Sequence, residues 1–280
     1  MEKLLIVDGM NLLFQMFYGM PSQILNGHGK AIQGTIGFVG ALLRMIRMVQ
    51  PGYVLVVFDG ETHNPRKDLD EQYKANRPDY SQMEENEIPF SQLPDIYNAL
   101  HYLGICYKET ADCEADDWIA GYVRQHSDRF AITVASQDSD FFQLIDDHVH
   151  ILRYRGDNTV LCDRRWLMEK YGIHPEQYAA FKSMTGDSAD NIRGVDRVGP
   201  KTAAWLLQQY SSLEGIVEHA GEISKPAIRK SVQDSTERLQ KNMELICLDG
   251  CCCLPFAPEQ LKWQYQGQTS SQVLYAIGVY

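Results

Sequence analysis

The sequence predicts an α/β protein: a mostly parallel central sheet flanked by helices, followed by a helical region. Three observations carry this. Short apolar runs rich in β-branched and aromatic residues recur at residues 4–7, Tyr53–Phe58 and Phe130–Ala135. Stretches of helical periodicity lie between them. From about Asp163 onward the pattern becomes helical throughout.

Between the strands, residues 34–49 place Phe38, Leu42, Met45, Ile46 and Val49 on one helical period. Residues 92–103 do the same with Leu93, Ile96, Leu100 and Leu103, and residues 114–125 form a third such stretch. Residues 61–90 are charged, contain Pro65, Pro78 and Pro89, and have little apolar periodicity. They predict an excursion from the sheet, either a mobile loop or solvent-exposed helices. Further helices are expected at residues 164–171, 175–184, 202–209 and 212–219. A boundary near residue 175 would divide an α/β core, residues 1–174 with the excursion at 61–90, from a helical region, residues 175–280.

Composition sets outer limits. With 44% hydrophobic and 22% charged residues, the 280-residue chain reads as a soluble globular protein. No apolar run approaches the ~20 residues of a membrane span. The start, Met1-Glu2-Lys3, runs straight into a strand without a leader pattern, so a cytoplasmic protein is expected. The seven cysteines lack C-x-x-C spacing and His neighbours, which argues against zinc. Cys106, Cys113, Cys162, Cys247 and the run Cys251–Cys253 are expected to be reduced thiols. A net charge of −11, taken as a sum, argues against a nucleic-acid partner. Its distribution matters more, because removing the nine acids of the clusters below leaves the remainder at −2.

Those acids are Asp8 in Val-Asp-Gly, Asp59 in Phe-Asp-Gly, Glu114-Ala-Asp116-Asp117, Asp138-Ser-Asp140 and Asp187-Ser-Ala-Asp190. Asp8, Asp59 and Asp138 each follow a predicted strand, where open parallel sheets bind ligands. Glu114 and Asp117 would share a helix face, with Asp116 about a quarter-turn away. Carboxylates converging on one cleft repel each other, and divalent cations relieve the repulsion. Oxygen-only clusters suit Mg²⁺ or Mn²⁺. Two such ions ~4 Å apart can activate a water and stabilise the leaving oxygen of a phosphodiester. Any single pair, such as Asp138-x-Asp140, fits a cap or turn equally well; the whole ordered set does not.

Two further motifs complement the acids. Tyr73-Lys74-Ala75-Asn76-Arg77-Pro78 offers two cations on one helix face beside an aromatic ring, suited to phosphate contact and base stacking. Alone it fits a solvated basic helix as well. Residues 194–202 bracket a tight turn with Gly194 and Gly199, and a helix follows from Pro200. The backbone N–H groups there, with Lys201 and Thr202, could hold a DNA phosphate without reading bases.

Taken in order, these motifs resemble the 5′ nuclease or flap endonuclease family, which includes the 5′–3′ exonuclease domain of bacterial DNA polymerase I and stand-alone bacterial relatives. The resemblance runs from Leu4 to about Leu248. It implies a PIN-like core, a helical arch at residues 61–90 and a helix-hairpin-helix element at residues 192–209. It implies one metal group of Asp8, Asp59, Glu114 and Asp116, a second of Asp138, Asp140, Asp187 and Asp190, and Asp117 between them. Lys74, Arg77, Asp116 and Asp138 would serve cleavage. Tyr73, Lys74, Arg77, Gly199, Lys201 and Thr202 would contact DNA. The carbonyls of Arg193, Val195 and Val198, with Met184 and Thr185 nearby, would hold a potassium ion. Departures are Gln15, where many members carry Arg, Gln137, where Gly is common, and a longer stretch after Arg77. No polymerase region accompanies the motifs, so the expectation is a stand-alone, monomeric, Mg²⁺- or Mn²⁺-dependent nuclease cutting DNA at 5′ flaps or branched and 5′-ended duplexes, in replication or repair. The rival expectations are a structure-specific DNA-binding module with little catalysis and a PIN-like ribonuclease. The ribonuclease would need neither the hairpin nor the Tyr73–Pro78 motif.

Overall fold

A computed structural model describes residues 1–60, 64–111, 113–248, 250 and 256–280. The elements run β1 (Glu2–Asp8), α1 (Gly9–Gly19), α2 (Gln33–Val49), β2 (Tyr53–Phe58), α3 (Pro65–Leu69), α4 (Leu93–Leu103), β3 (Cys106–Glu109), α5 (Ala115–His126), β4 (Phe130–Ala135), β5 (Val149–Arg153) and β6 (Val160–Cys162). Then come α6 (Arg164–Tyr171), α7 (Tyr178–Thr185), β7 (Gly186–Asp187), β8 (Ile192–Arg193), α8 (Pro200–Tyr210), α9 (Leu213–Glu218), α10 (Pro226–Gln233), α11 (Thr236–Ile246) and α12 (Ser270–Ala276).

Strands β3-β2-β1-β4-β5-β6 form one sheet in that order, parallel except for β6. The apolar runs form its centre because they are covered on both faces. Along β1, Leu4 and Ile6 pack into one hydrophobic cluster, and Leu5 and Val7 into the other. The register Val7↔Val56 and Val7↔Ala135 aligns the carboxyl ends of the three central strands.

The first cluster continues from the sheet into the helical region. It includes Phe142 and Tyr178, whose ring centroids lie 5.2 Å apart, and Leu206, Leu207, Ile216 and Leu239 beyond them. The last part of the chain returns to the other face. Trp263, Val273 and Leu274 pack with α2 and α4 residues, and the Trp263 indole donates to the Leu103 carbonyl at 2.7 Å.

Residues 64–90 are neither a free loop nor exposed helices alone. Within them α3 is short, turns follow, and Tyr73 and Lys74 are buried. Residues 61–63, the start of the expected arch, lie outside the described residues, as do Cys251–Cys253. Cys106 and Cys162 are free thiols. Cys113 is disulfide-bonded, which corrects the expectation of a reduced thiol there.

The two glycines of the hairpin differ in kind. A Cβ on Gly194 would lie 2.5 Å from the Met184 carbonyl oxygen and 2.6 Å from the Gly186 nitrogen, all rigid backbone. A Cβ on Gly199 would meet open space. Gly194→Ala should therefore lower stability by about 1–3 kcal/mol in urea unfolding, the range for overpacking, while Gly199→Ala should leave the midpoint nearly unchanged. Equal midpoints for the two variants would contradict this packing.

Candidate active site

The acids gather at the carboxyl edge of the sheet. Asp8 ends β1 and caps α1, accepting from the Asn11 N–H at 3.0 Å and from the Ser136 hydroxyl at 2.8 Å. Asp59 follows β2 and accepts from the Ala115 N–H at 2.8 Å, which ties β2 to the start of α5. Glu114 is the N-cap residue of α5, and Asp116 and Asp117 occupy its first turn, where the helix dipole favours negative charge. Asp138 lies in the turn after β4, and its Oδ1 accepts from the Asp140 N–H at 2.8 Å.

The charges of Asp8, Asp59, Asp116 and Asp138 act on one another across this edge. Burial, then the charges of Asp59 and Asp138, push Asp8 up to about 7. Burial, then Asp138, Asp8 and Asp59, hold Asp116 well above the ordinary carboxylate range. Desolvation by the surrounding protein, reinforced by Glu114, also raises Asp59.

A second group lies beside the first. Asp140, Asp187 and Asp190 each bring one carboxylate oxygen within 4.8 Å of the others'. Burial and then Asp138 raise Asp140 to about 7. The Lys182 ammonium, from α7, sits between Asp140 and Asp187 and ion-pairs with both. Burial works against the charge on Asp187, yet Lys182 holds its carboxyl below the usual range. Sequence reasoning missed Lys182; the one available signal was a lone lysine on an otherwise apolar helix, five residues before Asp187.

Cations approach the first group from the segment after β2. Lys74 has a left-handed backbone, φ 56°, and lies in a turn, so the expected helix for Tyr73–Pro78 does not form. Its ammonium ion-pairs with Glu114 and lies 4.8 Å from the centre of the Tyr73 ring. The Tyr73 hydroxyl donates to Glu114 at 3.2 Å. Arg77 is more exposed and reaches Asp190 at 3.4 Å. Lys74 and Arg77 thus point at different carboxylates rather than along one helix face.

Arg66, also missed, is the most heavily engaged side chain of the site. It donates to both oxygens of Asp117 at 2.5 and 2.8 Å, to Glu114 at 2.8 Å, and to the carbonyls of Leu245 and Cys247 at 2.8 and 2.9 Å. With both oxygens of Asp117 held by one guanidinium, its carboxylate is set apart from the converging acids. It anchors Arg66 at the first turn of α5.

Next to the acids is a cleft of about 850 Å³, lined by Asp59, Lys67, Lys74 and Arg77 on its charged side and by Phe14 and Phe90 on its apolar side. At the hairpin, Gly199 is the N-cap of α8 without a side-chain cap bond, and Lys201 is exposed. Thr202 donates its N–H to the Gly199 carbonyl at 2.9 Å. The Arg193 carbonyl accepts from Asn242 at 2.8 Å, and the Val195 carbonyl from the Val198 N–H at 3.1 Å. The Met184 carbonyl accepts from the Val195 N–H at 2.7 Å.

Crowded acids make stability depend on pH. A carboxyl raised from 3.8 to about 7 on folding binds more protons folded than unfolded between those values. Stability is therefore full below about pH 4 and declines as pH rises through 7, each such group contributing at most about 4 kcal/mol. Glu114 and Asp187, which are held low, act oppositely and only below about pH 4.5. In EDTA, the melting temperature should fall by several degrees between pH 5 and 7.5. Mn²⁺ should restore it, and Asp8→Asn should flatten the profile. A flat profile in EDTA for the unaltered chain would contradict the electrostatic account.

Residues 3–172 match the family described as 5′–3′ exonuclease, N-terminal resolvase-like domain, and residues 173–269 match 5′–3′ exonuclease, C-terminal SAM fold. The chain is similar to DNA polymerase I of Rhizobium leguminosarum, 33% identical over 255 residues, covering 88% of this chain and 24% of that protein. It is also similar to the thermostable DNA polymerase I of Thermus aquaticus, 31% identical over 244 residues, covering 87% of this chain and 28% of that protein. It thus spans about a quarter of the length of these relatives. Its fold is like that of T5 5′-exonuclease with bound zinc, at TM-score 0.73, 22% identity and coverage of 89% and 90% of the two chains. The catalytic core of Rad2 in complex with DNA substrate matches at TM-score 0.57 and 15% identity, covering 99% of this chain and 92% of that one. The chain belongs to the 5′–3′ exonuclease family, whose resolvase-like domain and SAM fold it carries in sequence.

Proposed function

We propose that the protein is a divalent-metal-dependent 5′ nuclease that hydrolyses DNA phosphodiester bonds near single-strand/double-strand junctions. The observation that carries this reading is the convergence of Asp8, Asp59, Asp116 and Asp138 beside Asp140, Asp187 and Asp190 at one sheet edge. Asp8 and Asp140, pushed up to about 7, stay partly protonated near neutral pH unless cations neutralise them, and every donor is an oxygen. That donor set fits Mg²⁺ or Mn²⁺. The related T5 5′-exonuclease has been solved with divalent zinc and the Rad2 core with DNA, which supports the same reading.

The ligands would be Asp8, Asp59, Glu114, Asp116 and Asp138 in one group and Asp140, Asp187 and Asp190 in the other. Divalent ions held there would supply a more acidic water and charge neutralisation at the phosphate. The chain's own residues do the rest. Lys74 holds an ammonium beside Glu114, where negative charge grows during phosphodiester cleavage. Arg77, more exposed, meets the strand at the cleft mouth. Lys182 keeps Asp140 and Asp187 together. Gly199, Lys201 and Thr202 at the start of α8 would take a duplex phosphate, and the carbonyls of Arg193, Val195 and Val198 would be those to hold potassium. Residues 1–174 would carry most of the chemistry, and residues 175–280 would add Asp187 and Asp190 to the site and hold the duplex, in a cytoplasmic, monomeric enzyme. The 5′–3′ exonuclease matches to both regions favour this over a PIN-like ribonuclease.

Asp116→Ala should abolish Mg²⁺-dependent cleavage of labelled 5′-flap DNA while leaving flap binding largely intact, because the acids serve ions and not the duplex. Wild-type-like cleavage by that variant would remove the site assignment. Lys74→Ala should lower the single-turnover rate by about 10²–10³-fold, as loss of one preorganised donor does, with a much smaller change in Kd. If rate and affinity fall in proportion, Lys74 is a docking contact only.

A further inference from the structure

A second cationic flank of the site is built from residues the mechanism above does not use. Strands β4 and β5 are parallel neighbours, so residues 154–155 leave β5 at the same sheet edge that carries the acids. There the Tyr154 carbonyl accepts two side-chain amides, Gln15 Nε2 at 2.7 Å and Gln137 Nε2 at 2.8 Å. A carbonyl oxygen has two lone pairs, so both are filled. With its nitrogen committed, the Gln137 amide turns its oxygen to Arg155, whose Nε donates at 3.0 Å. The backbone of Gln137 is fixed as well, accepting from Arg153 Nη2 at 3.0 Å and donating to Asn11 Oδ1 at 2.9 Å. Gln137 directly precedes Asp138, so this network joins the acidic turn to Arg155.

Arg155 itself is exposed. Its Nε is spent on the anchor, which leaves the two terminal amino groups, four N–H donors, for something else. An exposed arginine ordinarily finds a carboxylate, and Asp157 is two residues away. Asp157 pairs instead with Arg44 of α2, and among the described residues no acid pairs with Arg155. The result is a guanidinium held at one edge with its fork open, on the β5 side of the acids. Lys67, Lys74 and Arg77 stand on the β2 side.

We propose that Arg155, positioned by Gln137, is a phosphate-binding residue for the DNA strand on the flank of the acidic site opposite Lys74. The planar fork suits two oxygens of one phosphodiester. Anchoring Nε beforehand lowers the entropy lost on binding. This inference rests on the nuclease reading above and adds the path of the strand across the site.

The test is flap-DNA binding by the full chain, with Ca²⁺ replacing Mg²⁺, measured by fluorescence anisotropy across a salt series. Arg155→Ala should raise Kd about 5–10-fold, the effect of one screened charge-assisted contact, and reduce the slope of log Kd against log salt by about 0.9. Gln137→Ala keeps the charge but frees it, so Kd should rise by about threefold with the slope unchanged, a pattern a purely structural role would not give. Arg155→Glu should weaken binding further than Ala at an unchanged melting temperature. Wild-type binding with an Arg155→Ala variant of identical Kd and slope would overturn this inference alone. If the unaltered chain neither binds nor cuts flap DNA, the nuclease reading falls and this one with it.

Discussion

The structure is organised around a repulsion. At least seven carboxyls are drawn to one sheet edge, Asp8, Asp140 and Asp190 of them buried, and their crowding opposes charge on several. A fold cannot remove this cost without removing the site, so it distributes cations instead. Lys74 faces Glu114, Lys182 lies between Asp140 and Asp187, and Arg77 reaches Asp190. Each cation comes from an element outside the sheet, and each touches only one part of the acidic group. Among the described residues no cation contacts Asp8 or Asp116 at the centre, and the ionisation of both is opposed. The gap in compensation lies where a divalent ion is of most use.

Arg66 shows how the same electrostatics serve architecture. Its guanidinium ties α3 to the first turn of α5 through Asp117 and Glu114, and to the end of α11 through two carbonyls. A buried arginine is tolerable only when nearly all its donors are matched, and here five hydrogen bonds match them. The segment carrying Tyr73 and Lys74 is thereby fastened at its start to both the sheet's helix and the helical region. Lys74 is fastened again by its N–H to the Asp190 carbonyl at 3.0 Å. A lysine expected to arrive on a mobile segment is already in place beside its carboxylate.

What could be read in the sequence follows from what is local. β1, β2 and β4 are legible because strands buried on both faces are continuous apolar runs, and the bounds of β2 and β4 agree to the residue. β3 and β6 were not, because they are edges: Cys-Tyr-Lys-Glu and Val-Leu-Cys carry too few apolar residues to stand out, and their identity depends on a neighbour far along the chain. The missed helix α1 begins at Asp8-Gly9, where an acid read as a site residue is equally an N-cap. The acids were legible by spacing alone. Their cations were not, since Arg66 lies 51 residues from Asp117 and Lys182 lies 42 from Asp140. The disposition of Lys74 failed for a related reason. The three-residue spacing of Lys74 and Arg77 supposed a helix, while Lys74, buried and paired with Glu114, lies in a left-handed turn.

The return of the last residues to the α/β body has a kinetic meaning. The Trp263 N–H bonds the Gly52 carbonyl at 2.8 Å, Lys262 bridges Tyr53, and Val273 and Leu274 complete the apolar layer over α2 and α4. Residues made about 200 positions apart must meet before that layer excludes water. Loop closure over such separations is slow. A ribosome-bound chain that has already emerged with all six strands of the sheet would still expose the greasy backs of α2 and α4. The body that forms first in sequence is therefore sealed last, and its nascent form is the state that most needs shielding from aggregation.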